Sequence, residues 1–346
     1  MSVLIIREDE LQILQSSLDE VRVSYPLYEG DFLVARPEGT GFRLDLPASR
    51  ETFNEWLSEY EPIAGELPSY SDFQECMLAS GIVGYTNQAA FDEMLTSYEQ
   101  LKKAVFFGLD TNLFYHCFVT NNPGISHTSY LIVDTVRDEI TYAINRKYSA
   151  KKIEEMMACA PGYQDFIGEL ENKRMKRSRK AAYLALKEYR SIRDRATEIA
   201  APGPHSHLSE ENDRNIVRAL RKFEEERYAL PVLLTADIYM ADLCMAEGLE
   251  YFYFDRPYGM ETTSCTPPAF RRLLFNLAAV FGFIRCNGIM VFGEYGGKGN
   301  NLDELKVRFE DEEQYREFSR EVEICRQLSA LGISKLSIVH IFKINL

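Results

Sequence analysis

Two short, almost wholly apolar runs constrain this chain more than any other feature. Residues 104–109 read AVFFGL and are followed at once by Asp110; residues 231–236 read PVLLTA and are followed at once by Asp237. A strand covered on one face alternates apolar and polar side chains. A strand apolar at nearly every position is covered on both faces, the habit of parallel sheets held between helices. Neighbouring segments keep to that scheme. YLIV (130–133) reads as a strand running into a helix, residues 213–227 as an amphipathic helix, IYMADLCMAE as a short helix closed by Gly248, and residues 249–257 as a further strand. This alternation predicts an α/β fold with a mostly parallel sheet flanked by helices.

The flanks read differently. In residues 1–103, DFLVARPEG and GFRLDLPA form two strands around a Pro-Glu-Gly-Thr-Gly turn, Ser49 caps a helix, and residues 87–104 form another helix. In residues 261–346, PPAFRRLLFNLAAVFGFI is a helix entered through prolines, GIMVFGE, LKVRF and LSIVHIFKI are strands, and residues 310–331 are a long helix. The expected organisation is therefore an α+β N-terminal region (1–103), a central α/β domain (104–260) and an α+β C-terminal region (261–346). A long helical stretch is expected through the basic segment to about residue 198.

Composition excludes some classes. No run of 18 or more apolar residues is present, so no membrane span is expected, and the N-terminus lacks a secretory pattern. The cysteines have no CxxC spacing, which argues against a structural zinc site and for reduced thiols in a cytoplasmic protein. The net charge is −14, yet residues 172–195 hold ten of the 39 Lys and Arg and only two acids, Glu188 and Asp194. The sequence leaves a homo-oligomer open.

The acids at the strand ends carry the chemistry. Parallel strands end on one edge, and ligands of open α/β sheets bind there, at the switch point. Asp110 and Asp237 are expected on that edge. Glu139, in the helix after 130–133, and Asp213, at the start of the helix before 231–236, can reach it. Singly, an Asp after a strand is often only a helix cap. Together, four converging carboxylates repel one another. Hard cations relieve that repulsion, and Mg²⁺ or Mn²⁺ suits an all-oxygen site. Two such ions about 4 Å apart polarise a phosphodiester and activate a water.

With these residues in order, the central region resembles the PIN domain family of metal-dependent ribonucleases. FFGLDTNLFY is similar to the family's opening strand, LIVDTVRDEI to its second acidic element, and NDRNIVRALRKF with PVLLTADIYMADLCMAEGLE to its closing half. The resemblance covers about residues 104–256. It implies a PIN-like fold, Mg²⁺ or Mn²⁺ as cofactor, and metal ligation by Asp110, Glu139, Asp213 and Asp237. It places Asn112 and Thr235 behind them as supporting groups, and Asp138 and Asp242 compete as alternative ligands. The implied reaction is RNA phosphodiester hydrolysis leaving 5′-phosphate and 3′-hydroxyl ends. The span between Glu139 and Asp213 is longer than a minimal domain needs, and the flanks lie outside the family core.

Other features stand beside this one. Lys173, Arg174, Lys176, Arg177, Arg179 and Lys180 read as an arm tracking RNA phosphates, against a plain solvated helix. Lys298, in FGEYGGKGNN, can touch a phosphate, although the loop lacks P-loop spacing. His205 and His207 make a weak HxH pair, and His116 reads as a core histidine. Two rival readings remain: a non-catalytic RNA-binding or assembly module, and a phosphatase of small esters. Asn112 stands where aspartyl-phosphate chemistry of the haloacid-dehalogenase kind has a second Asp.

Overall fold

The structure, a computed structural model, describes residues 2–16, 18–203, 209–295 and 302–331. Lys298, His205, His207 and the expected strand LSIVHIFKI lie outside the described residues. Strands are numbered in chain order: β1 Ser2–Arg7, β2 Val21–Ser24, β3 Asp31–Glu38, β4 Gly41–Asp45, β5 Ala104–Leu109, β6 Tyr130–Val133, β7 Thr197–Ile199, β8 Ala229–Thr235, β9 Glu250–Tyr253, β10 Ser264–Cys265, β11 Phe283–Cys286, β12 Ile289–Phe292 and β13 Glu304–Phe309.

The chain is mixed α/β and divides into two compact units. One comprises Met1–Phe73, Lys147–Lys176 and Thr262–Leu346; the other comprises Gln74–Arg146 and Arg177–Glu261. The three consecutive regions read from the sequence are thus redistributed. The two terminal regions share one unit and claim residues 147–176 from the centre, whereas residues 74–103 join the central sheet.

The first unit holds an antiparallel sheet in the order β1-β13-β12-β11-β2-β3-β4-β10. Its strands alternate: along β13, Leu305, Val307 and Phe309 are buried and the residues between them are partly open. The expected β3–β4 hairpin forms, and Ser49 caps the following helix by accepting from the Thr52 amide. Helix Pro267–Phe281 starts at Thr266, carries its prolines in the first turn, and packs on β4, β11 and β12. Segment 147–176 belongs here because Phe166 lies 6.0 Å from the Phe283 ring, the Arg308 guanidinium sits 5.1 Å above Phe166, and Lys306 pairs with Glu169 at 2.5 Å.

The second unit holds the parallel sheet, in the order β7-β6-β5-β8-β9, with every pairing parallel. β6 is buried at all positions and β8 at nearly all, so helices must cover both faces. The order reverses between β5 and β8, the switch point of such a sheet. Helix Ser209–Glu226 packs on β8, and at Gly108 of β5 a Cβ would come within 2.7 Å of Leu220 Cδ1. Glycine there lets the helix bearing Asp213 press close to the strand that leads to Asp110. Gly248 ends helix Ile238–Glu247 in the left-handed conformation (φ 67°), as its sequence position predicts. The long basic helix stops at Ile192 and contains a π-helical stretch, Ala181–Leu186. The short strand β7 then completes the sheet edge, which the sequence did not signal.

Candidate metal centre

Asp110 and Asp237 follow β5 and β8, neighbours at the switch point. Asp110 occupies the N-cap position of helix Thr111–Tyr115, yet its side chain makes no cap bond. Instead Oδ2 accepts from Thr235 Oγ1 at 2.8 Å and from Asn112 Nδ2 at 3.2 Å. Both supporting groups expected from the sequence therefore hold Asp110. The carboxylate is 3% exposed and Thr235 is fully buried. Thr235 Oγ1 also accepts from the Asp237 amide at 3.0 Å, tying the two strand ends together. Asp237 does cap its helix: Oδ1 accepts from the Tyr239 amide at 2.9 Å.

Glu139 lies in helix Asp134–Ala143, which leaves the end of β6. Its Oε2 accepts from Thr111 Oγ1 at 2.6 Å and its Oε1 from Asn212 Nδ2 at 3.1 Å. One glutamate is thus held by the residue after Asp110 and the residue before Asp213. Sequence reasoning missed Thr111 and Asn212, since no spacing relates either to position 139; adjacency to an expected ligand was the only available signal. The competing acids are placed elsewhere. Asp138 pairs with Arg137 at 2.9 Å, and Asp242 is exposed on its helix.

The four acids share one field. Burial pushes the Asp110 carboxyl up to about 6 against the donors Thr235 and Asn112, and the charges of Glu139 and Asp237 add to the rise. Burial also raises Asp213, to about 7, followed by the charges of Asp110, Glu139 and Asp237. None of the four makes an ion pair among the described residues. Among the described residues, no three His, Cys, Asp or Glu side chains are gathered into a ready-made coordination sphere. Mg²⁺ does not require one: it keeps most of its waters and binds through one or two carboxylates. In donor chemistry the set fits Mg²⁺ or Mn²⁺, with Asp110 Oδ1 and Asp237 Oδ2 not engaged by the hydrogen bonds described above.

The basic segment departs from the expected arm. Arg179 is fully buried. Arg174 pairs with Glu294, Lys176 donates to Leu67 O at 2.6 Å and to Asp72 at 3.0 Å, and Lys180 pairs with Glu75 at 2.5 Å. Lys173 is half-buried, and only Arg177 of the six is exposed. The physical reason lies in the residues that follow. Ala181, Ala182, Tyr183, Leu184 and Ala185 are all buried, so the helix is drawn inward and its cations are neutralised by local acids. His116 is a core residue as expected, 2% exposed, with Nδ1 2.8 Å from the Tyr85 hydroxyl.

No protein-family model and no curated protein matches this chain. Among solved structures, it is similar to a domain of a functionally unknown protein from Methanocaldococcus jannaschii DSM 2661. The identity is 16%, over 45% of this chain and 94% of that one, with a TM-score of 0.27. A likeness that remote bears on neither fold family nor activity. No described helix is long and apolar enough to cross a membrane.

Proposed function

We propose that the parallel unit is a PIN-like, metal-dependent ribonuclease acting on RNA phosphodiesters. The observation that carries this reading is the placement of Asp110. It is a buried acid at the switch point, held by Thr235 and Asn112 rather than used as a helix cap, and it lies in the field of three further carboxylates. A fold keeps such a set only where something compensates the repulsion. Asp110, Asp213 and Asp237 offer oxygens to Mg²⁺ or Mn²⁺. Glu139, fixed by Thr111 and Asn212, orients water at the same edge. A cation held by these acids would lower the pKa of a water and neutralise charge on the phosphate. Attack at phosphorus breaks the bond to the 3′ oxygen, which leaves as a hydroxyl, and the 5′ side keeps the phosphate.

Asp110→Asn tests the reading. The variant should fold normally and lose Mn²⁺-dependent cleavage of RNA down to background. Undiminished cleavage sinks the proposal. A second reading, a non-catalytic RNA-binding or assembly module, draws on the open spacing of the four acids. RNA binding by the native protein without turnover under either cation selects it.

A further inference from the structure

If the basic segment is largely turned inward, a nuclease of this charge needs another means of engaging RNA. The geometry points to the loop Asp255–Gly259 as that element, with Arg256 contacting a backbone phosphate and Tyr258 stacking on a base of single-stranded RNA. The inference rests on the nuclease reading for its substrate.

Position is the first argument. The loop leaves the carboxyl end of β9, on the edge where Asp110 and Asp237 stand. The Phe254 amide donates to Thr235 O at 2.7 Å, so the loop departs beside the residue that holds Asp110. Burial above all raises the Tyr85 hydroxyl, the positive charge of Arg256 lowers it and the negative charge of Asp110 raises it, so that both groups lie within electrostatic reach of one side chain.

Rigidity is the second. Phe254 is fully buried, with the rings of Tyr85, Phe91, Phe252 and Phe118 at 4.6, 4.8, 4.8 and 5.1 Å. Asn87 clamps the backbone beyond it, donating to Tyr253 O at 2.7 Å and accepting from the Asp255 amide at 3.0 Å. The Asp255 carboxylate is turned onto Thr86 Oγ1 at 2.8 Å, and Tyr258 O accepts from Gln74 at 3.1 Å. A loop pinned at both ends nevertheless presents Tyr258 at 90% exposure, next to an exposed arginine with no ion pair among the described residues. Aromatic faces beside a cation are the elements from which sequence-tolerant single-strand sites are built.

The test is fluorescence anisotropy of a short fluorescein-labelled oligouridine, with EDTA present so that no cleavage occurs. Tyr258→Ala should weaken binding roughly tenfold, while Tyr258→Phe binds as the native protein does. Arg256→Gln should weaken binding and lower the slope of log affinity against log salt by about 0.7, a change the stacking variant does not make. Circular dichroism should report both variants folded, since both side chains are exposed. Native affinity in Tyr258→Ala and Arg256→Gln, or no binding by the native protein, overturns the loop assignment. Failure of Asp110→Asn to lose cleavage overturns the nuclease reading alone, because binding is measured without metal.

Discussion

Two sets of acids, one in each unit, meet different partners. In the antiparallel unit, acids meet bases: Glu20 bridges Arg22 and Arg36 at 2.5 Å each, Asp45 pairs with Arg36, Glu10 takes Arg326 at 2.7 Å, and Glu169 takes Lys306. In the parallel unit, Asp110, Glu139 and Asp237 accept from neutral donors, and among the described residues neither these three nor Asp213 makes an ion pair. Burial alone does not explain the contrast. Glu188, also buried in the parallel unit, is satisfied by the Thr120 amide and hydroxyl at 2.7 and 2.6 Å at the start of a short helix and stands apart from other acids. The paired acids are neutralised by cations of the chain itself, whereas among the described residues the strand-end set is not.

The contrast breaks most visibly at Thr235. Thr235→Val removes a donor to Asp110 and leaves Oδ2 with Asn112 alone. Groups that orient a ligand from behind are typically worth 10–100-fold in metal affinity or activity. A calorimetric titration should therefore show Mn²⁺ binding weakened by about that factor, with cleavage reduced in parallel. Unchanged affinity means that the hydrogen bond is merely structural.

An intermediate effect is expected from His116, which the parallel unit also holds without charge. Burial, then the nearby charges of Arg256 and Lys180, depress its pKa from 6.5 to about 3. As pH falls below 6.5 the unfolded chain takes a proton that the folded chain refuses. Stability is then lost at about 1.4 kcal/mol per pH unit until about pH 3. Asp110 and Asp213 act in the opposite sense. Their raised values give the metal-free protein stability at low pH that is lost as pH rises through about 6 and about 7. The two effects separate by comparing native protein with His116→Gln in EDTA. Between pH 6.5 and 5, the variant's urea midpoint should rise relative to the native one. Parallel pH profiles contradict a neutral His116.

The smallest change is expected in the antiparallel unit. Arg36→Gln removes exposed pairs to Glu20 and Asp45, and exposed pairs contribute little. Its urea midpoint should scarcely move and Mn²⁺ affinity not at all. A marked fall in the urea midpoint would show that these pairs contribute more than exposed pairs usually do.

Much of the parallel sheet was legible because its strands are short, apolar throughout and bounded by turns. YLIV became β6, Gly248 closed its helix, and the acid after AVFFGL stands at the switch point. In the antiparallel unit the β3–β4 hairpin and the Ser49 cap were equally local. β1, β2 and β7 were not legible: β1 and β7 have their partners far away in the chain, and β2 has one of its two partners, β11, there. β1 pairs with β13, for example, setting Ser2 opposite Phe309.

The sequence by itself determined that acids would terminate buried strands and that Asn112 would be available beside Asp110, since strand, turn and cap preferences act over a few residues. Tertiary structure alone decided that Thr111 and Asn212 would fix Glu139, that the terminal regions would share a sheet, and that Arg179 would be buried. Those outcomes depend on which distant surfaces must exclude water together, and a cation's fate in particular depends on whether the helix carrying it is drawn into a core.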